Sequence, residues 1–312
     1  MTSPPEPILS VVVPVLDEED GLAELHRRLT EALAGIDGVE VVFVDDGSTD
    51  GSRELIERLG ASSPLAVTLV ALSRNFGMEI AMSAGLDHAK GRYVALVHAD
   101  LQDPPELLPD MLAAARQGAD VVYARRIGRE ESAVKRLLAT AFYGLMHRFA
   151  RVPYQGQAGD FRLMSRRVVE AVGRMPERRR FLRGMVAWVG YEQVPIEYHR
   201  AGRYAGRGAS YRQLMGLALE ALTAFSDVPL KLATLAGIAI AALSSAGALV
   251  ILVLTLAGAL ATSGWVWVLA AVLFLSGVQL ITVGIVGRYL ARVHEEVLDR
   301  PLYVVDEVKA FF

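Results

Sequence analysis

Three short polar segments of this 312-residue chain combine residue types that can bind a charged substrate, and each follows an apolar run. His98-Ala99-Asp100-Leu101-Gln102-Asp103 follows Tyr93–Val97, Asp45-Asp46-Gly47-Ser48 follows Val39–Val44, and Pro14 to Glu18 follow Ile8–Val13. There is no GxGxxG and no Walker A loop, so phosphate is not held in a glycine-rich cradle. Carboxylates at such positions hold a diphosphate only through a divalent cation, and hard oxygen donors favour Mg²⁺ or Mn²⁺. Glu18, Asp45 and Asp46 have a second use, accepting hydrogen bonds from a nucleobase or ribose. Ser48 and Asp50 are expected to be turn and helix-capping residues, as is Asp103 before Pro104-Pro105. His26, His88, His147, His199 and His294 lack metal-like spacing.

The elements that must position these residues can be traced by periodicity. Apolar runs at 8–13, 39–44, 66–72, 93–97 and 119–124 alternate with helical patterns at about 21–34, 51–59, 77–89 and 106–117. Continuous β-branched runs alternating with amphipathic stretches predict an α/β fold. Its sheet is expected to be Rossmann-like and mostly parallel, with helices on both faces. Ligands of such sheets lie outside the carboxyl ends of the strands, where the three polar segments fall.

Charge is strongly polarised. Residues 1–120 hold 8 Lys/Arg against 21 Asp/Glu, whereas residues 121–231 hold 20 against 9. From Leu232 to Gly287, 56 consecutive residues include no Asp, Glu, Lys or Arg. That length accommodates two bilayer crossings, predicted at about 230–257 and 266–288 with Gly258–Trp265 as the turn. Lys231, Arg288 and Arg292 flank the pair while the turn carries no positive charge, so both ends are expected in the cytoplasm. Tyr211 to Asp227 carries Leu214, Leu217, Ala218, Ala221, Leu222 and Phe225 at helical spacing, which predicts an in-plane interfacial helix. The expected organisation is a cytoplasmic catalytic domain (1–208), an interfacial helix (209–228), a transmembrane hairpin (229–290) and a cytoplasmic tail (291–312). A basic segment next to a membrane anchor favours lipid headgroups over nucleic acid as partner. Gln279 within the second span is expected to contact the partner helix or another subunit, giving a homo-oligomer.

The segments SVVVPVLDEEDGL, VVFVDDGSTDGS, LSRNFGMEIAMSAGLDHAKGRYVALVHADLQDPPELLPDM, GDFRLMSRRVVEAV and RFLRGMVAWVGY resemble the family-2 glycosyltransferases in order and spacing. The resemblance is closer to their polyprenyl-phosphate branch and extends over the hairpin and the tail. It implies a GT-A fold, an inverting mechanism, a divalent metal, a nucleotide-sugar donor and a polyprenyl-phosphate acceptor. By position, Pro14, Glu18 and Asp46 would hold the nucleoside. Asp100 would be the metal-binding acid, with Gln102 beside the diphosphate, Asp160 near the reacting centre, and Arg125 or Arg126 near donor phosphate. Four positions depart from the family pattern. His98 stands where Asp is usual, Asp17 where Asn is common, Met78 where a basic residue is common, and Ser210 where Lys is usual. His98 is thus either a second metal ligand or a protonated contact to diphosphate.

An acceptor that is a phosphate monoester is largely dianionic at neutral pH and is already a nucleophile. Asp160 would then orient rather than abstract a proton. What the acceptor needs is cations, and nine arginines lie between 174 and 212 against three glutamates. Arg200 and Arg203, on a Gly-containing loop just before the membrane, are the expected acceptor-phosphate residues, because the guanidinium fork can grip phosphate with two hydrogen bonds. Arg178–Arg180 are read as a solvated face. The sugar is not written in the residues. UDP-glucose is the expected donor and GDP-mannose the alternative. A weakened nucleotide-sugar-binding paralogue and a transport component are the competing functions.

Overall fold

A computed structural model describes residues 7–127, 158–178, 180–199, Ala246 and 265–311. The chain divides into two compact units, Met1–Ala209 with Arg300–Phe312, and Ser210–Asp299. The first is built as β1 (Leu9–Val15), α1 (Glu19–Leu33), β2 (Val39–Asp45), α2 (Ser52–Ser62), β3 (Ala66–Leu72), α3 (Met78–His88) and β4 (Tyr93–Leu96). There follow a 3₁₀ turn (Pro105–Leu107), α4 (Leu108–Arg116), β5 (Val121–Ile127), β6 (Ala158–Ser165), α5 (Arg166–Gly173), α6 (Leu182–Trp188) and β7 (Gln193–His199). The second contains α7 (Trp265–Val297), and β8 (Val305–Phe311) returns to the first.

One eight-stranded sheet runs in the order β7-β5-β6-β4-β1-β2-β3-β8. Its centre, β4-β1-β2-β3, is parallel, and β5 pairs parallel with β7. The contacts β4–β6, β5–β6 and β3–β8 are antiparallel, so the sheet is mixed, with the expected parallel order confined largely to β1–β4. The difference arises after residue 125, where no apolar run as continuous as the first five signals β6 or β7.

Alternation along β1 builds two cores. Val11, Val13 and Val15 pack with Leu22, Leu25, Leu29 and Leu33 of α1 and with Leu108, Met111 and Leu112 of α4. Val12, with Val42 and Val44, packs on the other face against Ala81, Met82 and Ala84 of α3 and Val168, Val169 and Val172 of α5. Each of these valines, leucines and methionines contributes about 1.5–3 kcal/mol when fully buried. Gly85 brings α3 close to the sheet, since a Cβ there would lie 2.2 Å from Val12 Cγ1.

The end of the tail returns to the sheet and pairs with β3. Residues 305–311 alternate half-buried and exposed positions as an edge strand. Arg53 of α2 bonds Asp306 and Glu307, and Lys309 bonds Glu57. The sequence VDEVKAF does not itself alternate apolar and polar residues, since Val305 and Val308 fall on opposite faces, so no period-two pattern announces this strand.

Among the described residues no helix is long and apolar enough to cross a membrane. The expected first span (230–257), the interfacial helix (209–228) and the turn lie outside the described residues, so the hairpin as such is not seen. α7 covers the expected second span with 33 helical residues, and Trp265, Val268, Val272, Val283, Val286 and Leu290 are exposed on it.

Candidate active site

The chain runs β1→β2→β3 in one direction and then places β4 on the other side of β1. The order therefore reverses between β1 and β4, and a crevice forms outside the carboxyl ends of those strands. β1 pairs with β4 only through Val12, whose carbonyl accepts the Val97 N–H at 3.0 Å. Residue 14 faces the same side as residue 12, so the N–H that proline lacks lies where β4 has already diverged, and a proline costs no ladder bond there.

On the β2 side of the crevice, the loops after β1 and β2 are laced together. Asp17, with φ of 53°, accepts the Thr49 N–H at 2.7 Å, and its own N–H donates to Ser48 Oγ at 3.1 Å. The Glu18 N–H donates to Ser52 Oγ at 3.0 Å. Glu19 and Asp50 exchange contacts: the Glu19 N–H meets Asp50 Oδ2, and the Gly51 N–H meets Glu19 Oε2. Asp50 also accepts the Ser52 N–H at the start of α2, although the cap position itself is held by Gly51 rather than by the expected Asp50 or Ser48. Asp45 and Asp46 are both buried. Asp45 Oδ1 accepts the Ser48 N–H at 3.1 Å, while Asp46 holds the Phe76 and Gly77 amides at 2.7 and 2.9 Å. Burial raises the Asp46 pKa, partly offset by those two hydrogen bonds. Gly47 is required here, because its φ is +76° and a Cβ would lie 2.7 Å from the Arg74–Asn75 peptide.

On the other side, the β4–β6 register explains a charged cluster. Leu96 pairs antiparallel with Arg162, so two residues onward in β4 and two residues back in β6 bring His98 alongside Asp160. His98 Nε2 lies 3.9 Å from Asp160 Oδ2, and His98 Nδ1 lies 2.8 Å from Asp103 Oδ2. Asp160 is clamped by Arg183 of α6, with Nε to Oδ1 at 2.9 Å and Nη2 to Oδ2 at 2.5 Å. Arg162, almost fully buried, lies 3.9 Å from Asp160 and donates to the Gly159 carbonyl. Asp100 Oδ1 accepts the Gln102 N–H at 3.1 Å. Between them Leu101 has φ of +58°, a conformation that a bulky side chain rarely adopts and that concentrates at functional sites.

These surroundings set the charges. Burial raises the Asp160 pKa, but the Arg183 guanidinium, with Arg162 and His98 behind it, outweighs burial and holds the group below the usual carboxylate value. Burial disfavours a charged His98. The hydrogen bond to Asp103 and the carboxylates of Asp103, Asp160 and Asp100 outweigh it and raise the ring to about 9. Glu79, in the first turn of α3, accepts the Leu182 N–H at 2.9 Å. Burial, with the Asp160 charge beside it, raises Glu79 to about 7.

Asp103 is therefore a partner of His98 rather than the expected helix cap. The residue before the 3₁₀ turn is Pro104, and no side chain caps that turn. Arg125, expected at donor phosphate, is a partly exposed residue whose guanidinium is paired with Glu197, its register partner on β7. The Arg126 side chain, Arg200 and Arg203 lie outside the described residues. His98, Asp100, Gln102 and Asp160 are brought together; Pro14, Glu18, Asp45 and Asp46 line the neighbouring strand ends. Sequence reasoning missed Glu79, Arg162 and the part played by Arg183, which stood only as one of nine arginines.

No group of three or more His, Cys, Asp or Glu able to hold a metal occurs among the described residues. Two side chains nevertheless fit a cation whose remaining ligands come from a bound diphosphate. Asp100 offers hard oxygen. His98 Nε2 is buried and makes no hydrogen bond, while Nδ1 rests on a carboxylate, as is common for metal-bound imidazoles.

A switch-point crevice lined by acids, with no glycine-rich phosphate cradle, is where this sheet would take a ligand, and the chain is a glycosyltransferase. The family model described as glycosyl transferase family 2 matches residues 10–173, and the chain belongs to that family. It is 42% identical over 304 residues to an uncharacterized glycosyltransferase of Synechocystis, covering 96% of this chain and 95% of that one. It is 40% identical over 301 residues to a prophage-derived bactoprenol glucosyl transferase of Shigella flexneri, covering 95% and 97%. It is likewise 40% identical over 306 residues to a prophage bactoprenol glucosyl transferase homolog of Escherichia coli, covering 96% and 99%.

Proposed function

We propose that this chain transfers glucose from UDP-glucose to a bactoprenol-type polyprenyl phosphate, with inversion, on the cytoplasmic face of the membrane. The observation that carries the reading is near-full-length similarity, at 40% identity, to relatives named bactoprenol glucosyl transferase. In the reaction an acceptor phosphate oxygen bonds to the anomeric carbon, the bond from that carbon to the diphosphate breaks, and UDP leaves with the electron pair. Nothing need be deprotonated, because the phosphate monoester is already anionic. Asp160 suits this: it is kept ionised and engaged at both oxygens by Arg183, which makes it a poor base and a rigid orienting group.

Asp100 would hold the divalent cation, Mg²⁺ or Mn²⁺, and His98 Nε2 would join it by giving up the proton that the surrounding carboxylates favour. The cation supplies Lewis-acid stabilisation of the leaving diphosphate. A nitrogen donor inclines the choice towards Mn²⁺. Gln102 would lie beside the diphosphate, and the strand ends carrying Pro14, Glu18, Asp45 and Asp46 would receive the nucleoside. Arg200 and Arg203 would meet the acceptor phosphate. The uncharged stretch 232–287, the exposed apolar side chains of α7 and the flanking Lys231, Arg288 and Arg292 support a cytoplasm-facing membrane hairpin that keeps the site at headgroup depth. A homo-oligomer through that hairpin completes the reading.

The test uses purified full-length protein, undecaprenyl phosphate and a panel of nucleotide sugars, with lipid-soluble product as the readout. UDP-glucose should give product in Mn²⁺ or Mg²⁺ and none after chelation. Product from GDP-mannose instead would overturn the donor assignment, and product from a water-soluble acceptor alone would overturn the lipid.

A further inference from the structure

The first turn of α3 joins the two sides of the crevice. At its start the Gly77 N–H is held by Asp46, at the end of β2. Two residues on, Glu79 Oε2 accepts the N–H of Leu182, the first residue of α6. The next residue, Arg183, carries the guanidinium that clamps Asp160. The first N–H groups of a helix have no intrahelical acceptor, so Glu79 supplies from outside what α6 lacks. Phe181, which precedes α6, caps it with no side-chain hydrogen bond. A buried carboxyl is a costly way to satisfy one amide, and in a family-2 transferase it stands beside the ion pair that orders the reacting centre.

We propose that Glu79 is a positioning residue: by holding the Leu182 N–H it fixes the start of α6, and with it the Arg183 guanidinium that orients Asp160. The chain of contact is Glu79, Leu182, Arg183, Asp160, and then His98 at 3.9 Å. Its influence on the reaction passes through Arg183 rather than through substrate. The functional half of the inference rests on the proposed transferase reading of the Asp160 cluster. The structural half does not.

The experiment compares Glu79→Ala, Glu79→Asp and Glu79→Gln in the full-length protein with the wild type. Hydrogen exchange of the Leu182–Met185 amides tests the brace without any substrate. Alanine removes the acceptor and aspartate withdraws it by one methylene, so both should speed exchange at Leu182; glutamine keeps an acceptor oxygen and should restore protection. Turnover then tests positioning. Glu79→Ala should lower kcat by about 10- to 100-fold while the donor KM stays within about twofold, because misplacement of an orienting group acts on the reacting geometry. Glu79→Gln should recover most of the loss. Unchanged exchange at Leu182 in Glu79→Ala overturns the brace, and faster exchange with unchanged kcat overturns the positioning role. If the alanine variant does not fold, the order of kcat decides: glutamine above aspartate supports the proposal, and the reverse overturns it. A wild type inactive with every nucleotide sugar and undecaprenyl phosphate would count against the transferase reading, and the exchange arm would still decide the brace.

Discussion

The two banks of the crevice spend their carboxylates in opposite ways. On the β2 side, Asp17, Glu19, Asp45, Asp46 and Asp50 accept hydrogen bonds mainly from backbone amides, and the result is a pair of interlocked loops. On the β4 side, Asp103 and Asp160 are engaged by charged or titratable side chains, His98 and Arg183. An acid satisfied by amides shapes the backbone, and its charge is set mainly by its own burial. An acid satisfied by a guanidinium or an imidazole belongs to a network whose charges rise and fall together. Under the proposed reaction the first bank would receive the nucleoside, and the second would meet charge that develops on a leaving diphosphate.

The sharpest test of that contrast removes Asp160. Asp160→Ala leaves Arg183 and the nearly buried Arg162 without their carboxylate, and breaking a buried pair from one side costs about 3–5 kcal/mol. Because Arg183 is partly exposed, the lower end is expected. Urea unfolding should show that loss, and kcat should drop by about 100-fold or more. A variant with wild-type stability would mean the pair is slack, and the contrast between the banks would fail.

Next in size is a pH effect. Between its ordinary value of 4.5 and its folded value of about 7, Glu79 keeps its proton in the folded chain and loses it in the unfolded one. Stability from this group is therefore fully present below 4.5 and is lost as pH rises through 7, at up to about 1.4 kcal/mol per pH unit. Relative to Glu79→Gln, the wild type should lose roughly 3 kcal/mol between pH 4.5 and pH 7–8. Denaturation midpoints of both proteins across that range check it; parallel curves would show that Glu79 is not held protonated.

The β2 bank was far more legible in the sequence than the β4 bank, for a physical reason. The five continuous apolar runs all became strands of the sheet, and the acids at their ends could be placed on loops from local pattern alone. Asp100 was assigned to the site both from its place after an apolar run and from the family likeness, whereas Asp160 was assigned from the likeness alone. The partners of Asp160 come from β6 and α6, and its proximity to His98 depends on the register Leu96–Arg162, a long-range pairing with no local signature. Asp103 shows the same limit. Asp before Pro-Pro is a strong capping pattern, yet the carboxylate turns to an imidazole five residues back. β8 was hidden because its partner β3 lies more than 230 residues earlier.

A smaller loss, about 2 kcal/mol, is expected for Asp46→Ala. Two part-buried amides lose their acceptor at about 1–3 kcal/mol each, and removing a carboxyl whose burial is itself unfavourable returns part of that cost. The donor KM should rise while kcat stays within about threefold, because the damage falls on loop shape rather than on the reacting charges. Thermal unfolding and a donor titration check the two halves. A fall in kcat alone would assign Asp46 to the reacting bank.

The smallest effect is expected at Arg125, where the family likeness and the structure point different ways. By position this arginine belongs near donor phosphate. In the fold its guanidinium meets Glu197 across the β5–β7 ladder, with both side chains more than a third exposed. An exposed pair of this kind is worth about 0–1 kcal/mol. If the arginine serves only the ladder, Arg125→Ala should shift stability by less than about 1 kcal/mol, and Glu197→Ala should match it. The donor KM should stay within about twofold in both variants, even at low ionic strength, where a lost phosphate contact would be most visible. A donor KM raised about tenfold or more in Arg125→Ala but not in Glu197→Ala would mean that the guanidinium leaves Glu197 for the diphosphate. That result would extend the charge-responsive bank from β4 and β6 across to β5, and the boundary between the banks would have to be redrawn there.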